Sequence, residues 1–380
     1  MSNSNDALRI EAVADRRQLD RFIKLPWTLY QSDPHWVPPL LFELNQRLSK
    51  KNPFFEHARW QAWTAWRDGN IVGRISAQID NLYQERYDDA VGYFGMLEAI
   101  DDPAVFAALF GAAEGWLRAN GMRVARGPFN LSINEECGLL IEGFDTPPCI
   151  MMGHARPYYG RQIEAAGYQK ATDLIAYRIA PDFQAPAVMR KLAERALATR
   201  VKVRPLRRKQ LREDLEILRS IFNDAWANNW GFVPFTEAEF KDIGELLTLL
   251  VDDDFVQIAE VEGEPVAFIT ALPNINEAIR DLDGRLLPFG WAKLLWRLKV
   301  KFPRTARVAL MGVRQVHQHT RLGPTLAFLV IDAVRQACIR RGVTEVELSW
   351  ILENNDGMRN IIETIGGEAY KRYRMYQKSL

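Results

Sequence analysis

The strongest constraint on the fold is one order of elements that occurs twice along the chain. Each half begins with a strand and a helix, continues with a strand hairpin and another strand, and then has a long helix, a strand, a short helix and a final strand. Helices that alternate with strands in this order pack against a mixed sheet. The sequence therefore predicts an α/β protein that consists of two similar domains.

The two halves are joined by "APDFQAPAVMRKLAERALATR", in which two prolines precede a helical pattern. We therefore predict an N-terminal domain over residues 1–180, a linker helix over residues 181–200 and a C-terminal domain over residues 201–380. The match between the halves lies in the order of elements and not in residue identity. A length of 380 residues agrees with this division.

Composition and charge exclude several classes of function. The formal net charge is +1, so no global field attracts polyanions, and we expect no nucleic-acid partner. Three cysteines without a spaced pair argue against a disulfide framework and a metal site. The first twenty residues lack an apolar core of the signal-peptide type, and no apolar run is long enough to cross a bilayer, so we expect a cytoplasmic protein.

A loop that opens onto a buried helix, "QVHQHTRLGPTLAFLVIDAV", is the first candidate for chemistry. Backbone N–H groups at a helix start, together with the helix dipole, bind pyrophosphate without side-chain charge. Gly323 allows close approach of the backbone, Pro324 suits the first helical turn, and Arg321 can add a charge-assisted hydrogen bond. The alternative is a structural helix start that carries a surface arginine.

This loop lies between the fourth strand and the long helix of the second half. With the loop in this place, the order of elements resembles that of the GNAT (Gcn5-related N-acetyltransferase) superfamily. The family loop is Gln/Arg-x-x-Gly-x-Gly/Ala. Gln318 takes its first place, Arg321 replaces its first glycine and Gly323 takes its second. Downstream, Asn355 takes the place of the family asparagine. Ile362 stands where the family often has a tyrosine that protonates the leaving thiolate.

The resemblance implies two GNAT-like mixed-sheet domains in tandem, with acyl-CoA as co-substrate and no bound cofactor. It implies a binding site in the second half made of Met311, Gly312 and Val313 for the thioester, Gln318, Arg321, Gly323, Pro324 and Thr325 for the pyrophosphate, and Asn355. The first half has Asp101-Asp102-Pro103 where phosphates would lie, and carboxylates repel an anion there. We therefore expect the first half to shape the acceptor pocket instead.

The long polar segment from Gly127 to Arg161 contains the catalytic candidates. An acceptor amine must lose a proton before it attacks, and a partly buried glutamate can accept this proton. Glu135 is the first candidate and His154 the second, with Tyr159 beside them and Asn134 as a substrate contact. A solvated carboxylate at Glu135 and a structural histidine remain the alternatives.

Two segments of the second half suit a hydrophobic acceptor. In "NDAWANNWGFVPF", the side chains of Trp226, Trp230 and Phe232 can line an acyl or sphingoid channel, and Asn223 can orient a head group. Residues 284–302 combine an apolar stripe with lysines and arginines, which suits peripheral contact with the inner face of a membrane. The alternative for this second segment is an amphipathic helix that covers the core or the seam between the two halves.

The plan of two GNAT halves, together with "YQSDPHWVPPL" and the Gly127–Arg161 segment, resembles a bacterial tandem-GNAT family that includes bacterial ceramide synthases. This implies an N-acyltransferase that moves a fatty acyl group from acyl-CoA, or acyl carrier protein, to the primary amine of a long-chain lipid. A sphingoid base is the best specific acceptor. The alternatives are an aminoacyl-tRNA-dependent transferase, for which "RPLRRKQLR" could begin a basic groove, and a degenerate acyl-CoA sensor.

Overall fold

The computed structural model of the chain describes residues 8–380, without the side chains of residues 245–250. Contacts between segments divide the chain into two compact units. The first unit comprises the chain up to Leu174, together with Leu282–Arg285 and Lys371–Leu380. The second comprises Ile175–Asp281 and Leu286–Tyr370.

The first half of the chain contains eight strands and five α-helices among the described residues, and these are followed by β9, which continues into the second unit. In order they are β1 Arg9–Ala12, α1 Arg16–Leu29, α2 Leu41–Arg47, β2 Ala58–Arg67, β3 Asn70–Asp80, α3 Asn81–Arg86, β4 Val91–Ala99, α4 Pro103–Ala119, β5 Val124–Gly127, β6 Phe129–Asn130, β7 Glu136–Cys137, β8 Leu139–Glu142, α5 Tyr159–Ala165 and β9 Gln169–Ile179.

The second half begins with a helix and ends with a strand. Its elements are α6 Ala187–Thr199, β10 Val201–Pro205, α7 Leu211–Ala225, α8 Glu237–Leu250, β11 Val256–Val261, β12 Glu264–Pro273, α9 Ile275–Ile279, α10 Gly290–Trp296, β13 Thr305–Val313, α11 Gln315–Gln318, α12 Gly323–Arg340, β14 Glu345–Leu352, α13 Asp356–Thr364 and β15 Glu368–Ser379. A π-helical turn, Arg297–Lys301, follows α10 directly.

Each unit contains a mixed sheet of the same plan. In the first unit β1, β2, β3 and β4 are antiparallel neighbours, and β4 pairs with β5 in parallel. In the second unit β10 to β13 are antiparallel neighbours, and β13 pairs with β14 in parallel. The prediction of two α/β domains with mixed sheets is confirmed.

The borders of the units differ from the predicted domain borders at the chain's last strands. Residues from Lys371 onward belong to the first unit, where Tyr376–Ser379 pair with β5. Residues from Ile175 onward belong to the second unit, where β9 lies beside β14. Helix α6, predicted as a linker, is part of the second unit. The order of elements along the chain does not reveal which unit the last strands join. The backbone hydrogen bonds that pair strands do not depend on side-chain identity.

The two units differ at the N-terminus of the helix that follows the fourth strand. In the first unit the side chain of Asp102 caps α4 by accepting the Ala104 N–H at 2.8 Å. In the second unit Leu322 precedes α12 and provides no side-chain cap. As predicted from the sequence, Pro324 lies in the first turn of α12. The N-terminus of α12 therefore has no side-chain cap, and the Gly323 N–H donates to the Thr320 carbonyl instead.

Candidate functional site

Strands β13 and β14 of the second unit separate beyond a short ladder. Their register runs from Thr305–Glu345 to Val308–Leu348 and ends there. The register of β13 with β12 shifts at the same place, since Val308 pairs with Ala271 and Leu310 with Thr270. Ala309 is therefore an extra residue, a β-bulge that bends the strand. The bulge and the separation leave one edge of residues 309–313 unpaired with β14.

Hydrogen bonds show which backbone groups face this open edge. The carbonyl oxygen of Met311 accepts the indole N–H of Trp226 at 2.8 Å, and that of Val313 accepts the amide of Gln318 at 2.8 Å. The Arg314 N–H donates to the Val266 carbonyl beside β12, and alternation along the strand turns the Met311 and Val313 carbonyls to the opposite edge. The N–H and C=O groups of one strand residue point to the same edge, so the N–H groups of Met311 and Val313 also face the opening.

Gly312 has a packing role instead. A Cβ atom at this position would lie 3.1 Å from the Ala225 side chain and 3.1 Å from the Phe268 ring. Glycine thus lets β13 lie close to the C-terminal end of α7. Of the three residues predicted to polarise a thioester, two face the open edge and the third positions the strand.

The loop before α12 places its residues unequally. Gln318 donates its amide to the carbonyls of Val313 and Ala225, at 2.8 and 3.1 Å, so it ties α11 to the strand. A Cβ atom on Gly323 would lie 2.4 Å from the His317 carbonyl oxygen, so glycine is required by the tight turn. Arg321 is exposed and forms no ion pair with a described side chain. Arg321 is thus the loop residue that remains available for an anion.

The residues of the downstream motif have structural roles. Asn355 caps α13 by accepting the Met358 N–H at 3.1 Å. Ile362 is 3 % exposed and packs with Ile175 and Tyr177 in an apolar cluster. Because Ile362 has no proton to give and is buried, α13 supplies no acid at the place of the family tyrosine.

The residues predicted to line an acceptor channel after α7 are mostly occupied elsewhere. Phe232 belongs to the core around Phe222, and Asn223 binds the backbone of Phe235 through both its carboxamide atoms. Trp230 is half-buried. Trp226 is different, since its bond to Met311 places it at the open edge of β13.

The equivalent edge in the first unit is filled by the chain itself. The parallel ladder of β4 and β5 ends at Tyr93–Arg126, and β6 follows against β4. A Cβ atom on Gly95 would lie 1.7 Å from the Phe129 carbonyl oxygen, and the Met96 N–H donates to the Asn130 carboxamide at 2.7 Å. The Met96 N–H, which follows the end of the parallel ladder of β4 and β5, therefore already has a partner.

Replacing Asn130 with alanine tests this contact. The Met96 N–H would lose its acceptor in a buried place, so we expect the free energy of unfolding to fall by about 1–3 kcal/mol. Urea unfolding of the Asn130→Ala variant measures this loss. Asn70→Ala, at an exposed position, is the matched control. Equal losses in the two variants would show that the Met96 contact contributes nothing.

A half-buried carboxyl group, Glu98 at the end of β4, is the main residue that sequence reasoning missed. It accepts the hydroxyl protons of Tyr159 at 2.6 Å and Tyr30 at 2.8 Å, and Arg74 lies 3.9 Å away. Burial raises the pKa of Glu98, whereas Arg74 and the two hydroxyls act in the opposite direction. The sequence did contain a signal for it, because Glu98 is the one charged residue in the strand sequence "VGYFGMLEA".

The predicted catalytic residues lie around the same region of the first unit. Tyr159 contacts Glu98 directly and also accepts the Ala99 N–H at 3.1 Å. His154 contacts Asp33 through Nε2 at 3.0 Å, and burial lowers the pKa of His154. A neutral imidazole that donates from Nε2 leaves Nδ1 as an acceptor, and Nδ1 is buried without a partner among the described residues.

Glu135, the first candidate for the base, is held in an ion pair. Its carboxylate lies 2.5 Å from Nε of Arg47, whose guanidinium also donates to the Asn130 carbonyl. Burial opposes the charge on Arg47, but Glu135, Glu43 and Glu136 together raise its pKa. A carboxylate neutralised at this distance is poorly suited to accept a proton. The half-buried Asn134, the predicted substrate contact, donates its backbone N–H to Ser132.

The described residues offer no metal centre. Within residues 8–380, and apart from the side chains of residues 245–250, no three histidine, cysteine, aspartate or glutamate side chains are grouped to hold a metal ion. Among the described helices, none has both the length and the apolar character that crossing a bilayer requires.

Comparison with known proteins identifies the family. No protein-family model matches the chain. Protein YghO of Escherichia coli (strain K12) is 53 % identical over 372 residues, which cover 98 % of this chain and 95 % of YghO. The bacterial ceramide synthase of Caulobacter vibrioides (strain NA1000 / CB15N) is 47 % identical over 380 residues, 100 % of this chain and 99 % of that protein.

Solved structures agree with the fold. The tandem GNAT protein from the clavulanic acid biosynthesis pathway matches with a TM-score of 0.57 and 12 % identity over 98 % of each chain. The GCN5-related N-acetyltransferase from Sphaerobacter thermophilus matches with a TM-score of 0.52 and 13 % identity, over 97 % of this chain and 95 % of that chain. The chain therefore belongs to the family of Protein YghO and the bacterial ceramide synthase, and it has the fold of tandem GNAT proteins.

Proposed function

We propose that the chain transfers a fatty acyl group from acyl-CoA to the primary amine of a long-chain lipid, and that a sphingoid base is the acceptor. The observation that carries the proposal is the contrast between the units. The second has an open edge at Met311 and Val313 beside an uncapped helix, whereas in the first β6 follows against the fourth strand, Asn130 binds the Met96 N–H and Asp102 caps the following helix. The choice of a sphingoid base is supported by the 47 % identity to bacterial ceramide synthase.

In this proposal the second unit binds the donor. The positive end of the α12 dipole and the guanidinium of Arg321 bind the pyrophosphate of CoA. The N–H groups of Met311 and Val313 donate to the thioester carbonyl oxygen and stabilise the negative charge that develops on it. Gln318 and Gly323 contribute by fixing the loop rather than by contacting phosphate.

We propose separately that Glu98 is the group that accepts the proton of the acceptor amine. Glu98 takes a proton from the ammonium, and Tyr30 and Tyr159 orient its carboxylate. The neutral amine then attacks the thioester carbon, the new C–N bond forms and the C–S bond breaks. The thiolate leaves with the electron pair, and the second proton that the attacking nitrogen loses reaches the sulfur through water, because Ile362 has none to give.

Turnover assays separate this proposal from its alternatives. We expect amide formation from palmitoyl-CoA and sphinganine, detected by mass spectrometry, and none from aminoacyl-tRNA. The structure disfavours a tRNA groove at "RPLRRKQLR", because Arg204 and Arg207 bind Asp214 and Arg208 binds Asp253. Binding of CoA without turnover across long-chain amines would instead support an acyl-CoA sensor. Lipid analysis of cells with and without the protein then tests the acceptor.

A long-chain amine partitions into membranes. Peripheral membrane contact through residues 284–302 would bring the chain to such an acceptor, and this contact is part of the proposal rather than a requirement for the chemistry.

A further inference from the structure

A patch of large apolar side chains is exposed in the segment that surrounds α10. The exposed side chains are Leu287 (80 % exposed), Phe289 (77 %), Trp291 (51 %), Leu295 (47 %), Trp296 (54 %) and Val300 (70 %). All six belong to one continuous stretch of the second unit, residues 286–304. We name residues 284–304 the α10 segment. An exposed apolar patch that is concentrated in this way marks an interaction surface.

The alternative, a helix that covers the core, does not agree with the burial of this segment. None of the residues of α10 is buried. Leu298 and Phe302 are the large apolar side chains that anchor the segment, at 1 % and 7 % exposure, and the Phe302 ring packs against Phe255. The anchor lies in and after the π-helical turn, and the patch projects from it into solvent.

The charge of the α10 segment is of one sign. The segment contains six lysines and arginines and no aspartate or glutamate: Arg285, Lys293, Arg297, Lys299, Lys301 and Arg304. Lys293 and Arg297 pair with Asp281 just outside it, and Lys299 lies 3.7 Å from Asp252. Arg285 and Lys301 are exposed and form no ion pair with a described side chain. The segment therefore keeps net positive charge beside its apolar patch.

We propose that the α10 segment docks onto an anionic lipid bilayer. Exposed indole rings prefer the boundary between head groups and acyl chains, where Trp291 and Trp296 would lie. Basic residues next to an apolar face are attracted to anionic head groups, which is the charge complementarity that Arg285 and Lys301 supply. A zwitterionic surface offers the apolar contribution alone. This docking does not depend on acyl transfer.

A fluorescence experiment on the full chain tests the docking. Its three cysteines, Cys137, Cys149 and Cys338, are buried, so a Leu295→Cys variant offers a single exposed thiol for an environment-sensitive dye. We expect a blue shift of the dye with vesicles of phosphatidylcholine and phosphatidylglycerol, and a weaker one with phosphatidylcholine alone. Val188→Cys, at another exposed apolar position on α6, is the matched control and keeps its emission. Equal shifts at the two positions would overturn the proposal.

Vesicle flotation with two double variants separates the contributions. Trp291→Ser with Trp296→Ser removes the indoles, and we expect binding to fall by at least about tenfold on both vesicle types. Arg285→Glu with Lys301→Glu reverses two charges, and we expect binding to anionic vesicles to fall by about 30-fold or more. Arg190→Glu with Lys191→Glu, on the exposed face of α6, is the control for charge.

Two results would contradict membrane docking. Unchanged flotation of both patch variants would show that the α10 segment is not the contact. Concentration-dependent dimers that form without lipid, and that the indole variant abolishes, would show that the patch binds a second copy of the chain. Light scattering of the wild-type chain and the indole variant detects the second case.

Discussion

Glu98→Gln is expected to lower turnover by about 10²- to 10⁴-fold, the range that removal of a general base produces. Glutamine has nearly the same shape and can still accept the hydroxyl protons of Tyr30 and Tyr159, so the variant keeps its fold but cannot take a proton. Steady-state rates with acyl-CoA and a long-chain amine measure the effect. Glu85→Gln, at an exposed position of α3, is the control and is expected to be fully active.

The pH dependence provides a second measurement for the same group. The carboxylate must be ionised to act, so activity falls as pH falls through the pKa of Glu98, which burial raises. Four groups surround it: Tyr30 from the end of α1, Arg74 from β3, Tyr159 from α5 and Glu136 from β7. The Tyr159 hydroxyl lowers this pKa, so Tyr159→Phe is expected to move the acid limb of the pH profile to higher pH.

A variant of His154 provides the most direct test against the proposed role of Glu98. If His154→Gln abolished turnover while Glu98→Gln kept it, the proton acceptor would be the imidazole that Asp33 orients. If both variants were active, the acceptor amine would lose its proton to water. Binding of acyl-CoA is measured separately. A wrong assignment of the proton acceptor can therefore be distinguished from a wrong assignment of the donor site.

Arg321→Glu is expected to weaken the binding of CoA by about 10- to 100-fold, since a charge-assisted hydrogen bond becomes a repulsion. The reason is positional: Arg321 is exposed at the uncapped start of α12 and has no described partner. Calorimetric titration with CoA and with pantetheine, which has no phosphate, measures the effect. Weaker binding is expected for CoA alone. Arg195→Glu, exposed on α6, is the control. Equal affinity of the wild type and Arg321→Glu would contradict the pyrophosphate assignment.

The starts of the two long helices, one in each unit, could be predicted from the sequence. Helix α12 begins at Gly323 with Pro324 in its first turn, as the loop pattern predicts. The carboxylate at Asp102 caps α4, which agrees with the expectation that the first half lacks a phosphate loop. These features depend on local backbone chemistry, and local chemistry is what a short pattern records.

The separate roles inside the loop could not be predicted. Gln318 matches the family motif, yet its amide is committed to the carbonyls of Val313 and Ala225. Glu135 matched the expectation of a partly buried glutamate, but Arg47, 88 residues earlier in the chain, pairs with it. The partner of a polar side chain is chosen by chain segments distant in sequence, so spacing does not identify it.

The sequence by itself determined the repeated strand–helix order, the two mixed sheets, the start of α12 and the basic apolar segment around α10. Only the tertiary structure decided that Glu98 meets Tyr30 and Tyr159, since these residues are 61 to 68 positions apart. It also decided that Asn130 fills the edge that stays open at Met311. The physical reason is that periodicity and capping act over one or two turns of chain, whereas burial, charge pairing and strand exchange arise only when distant segments pack together.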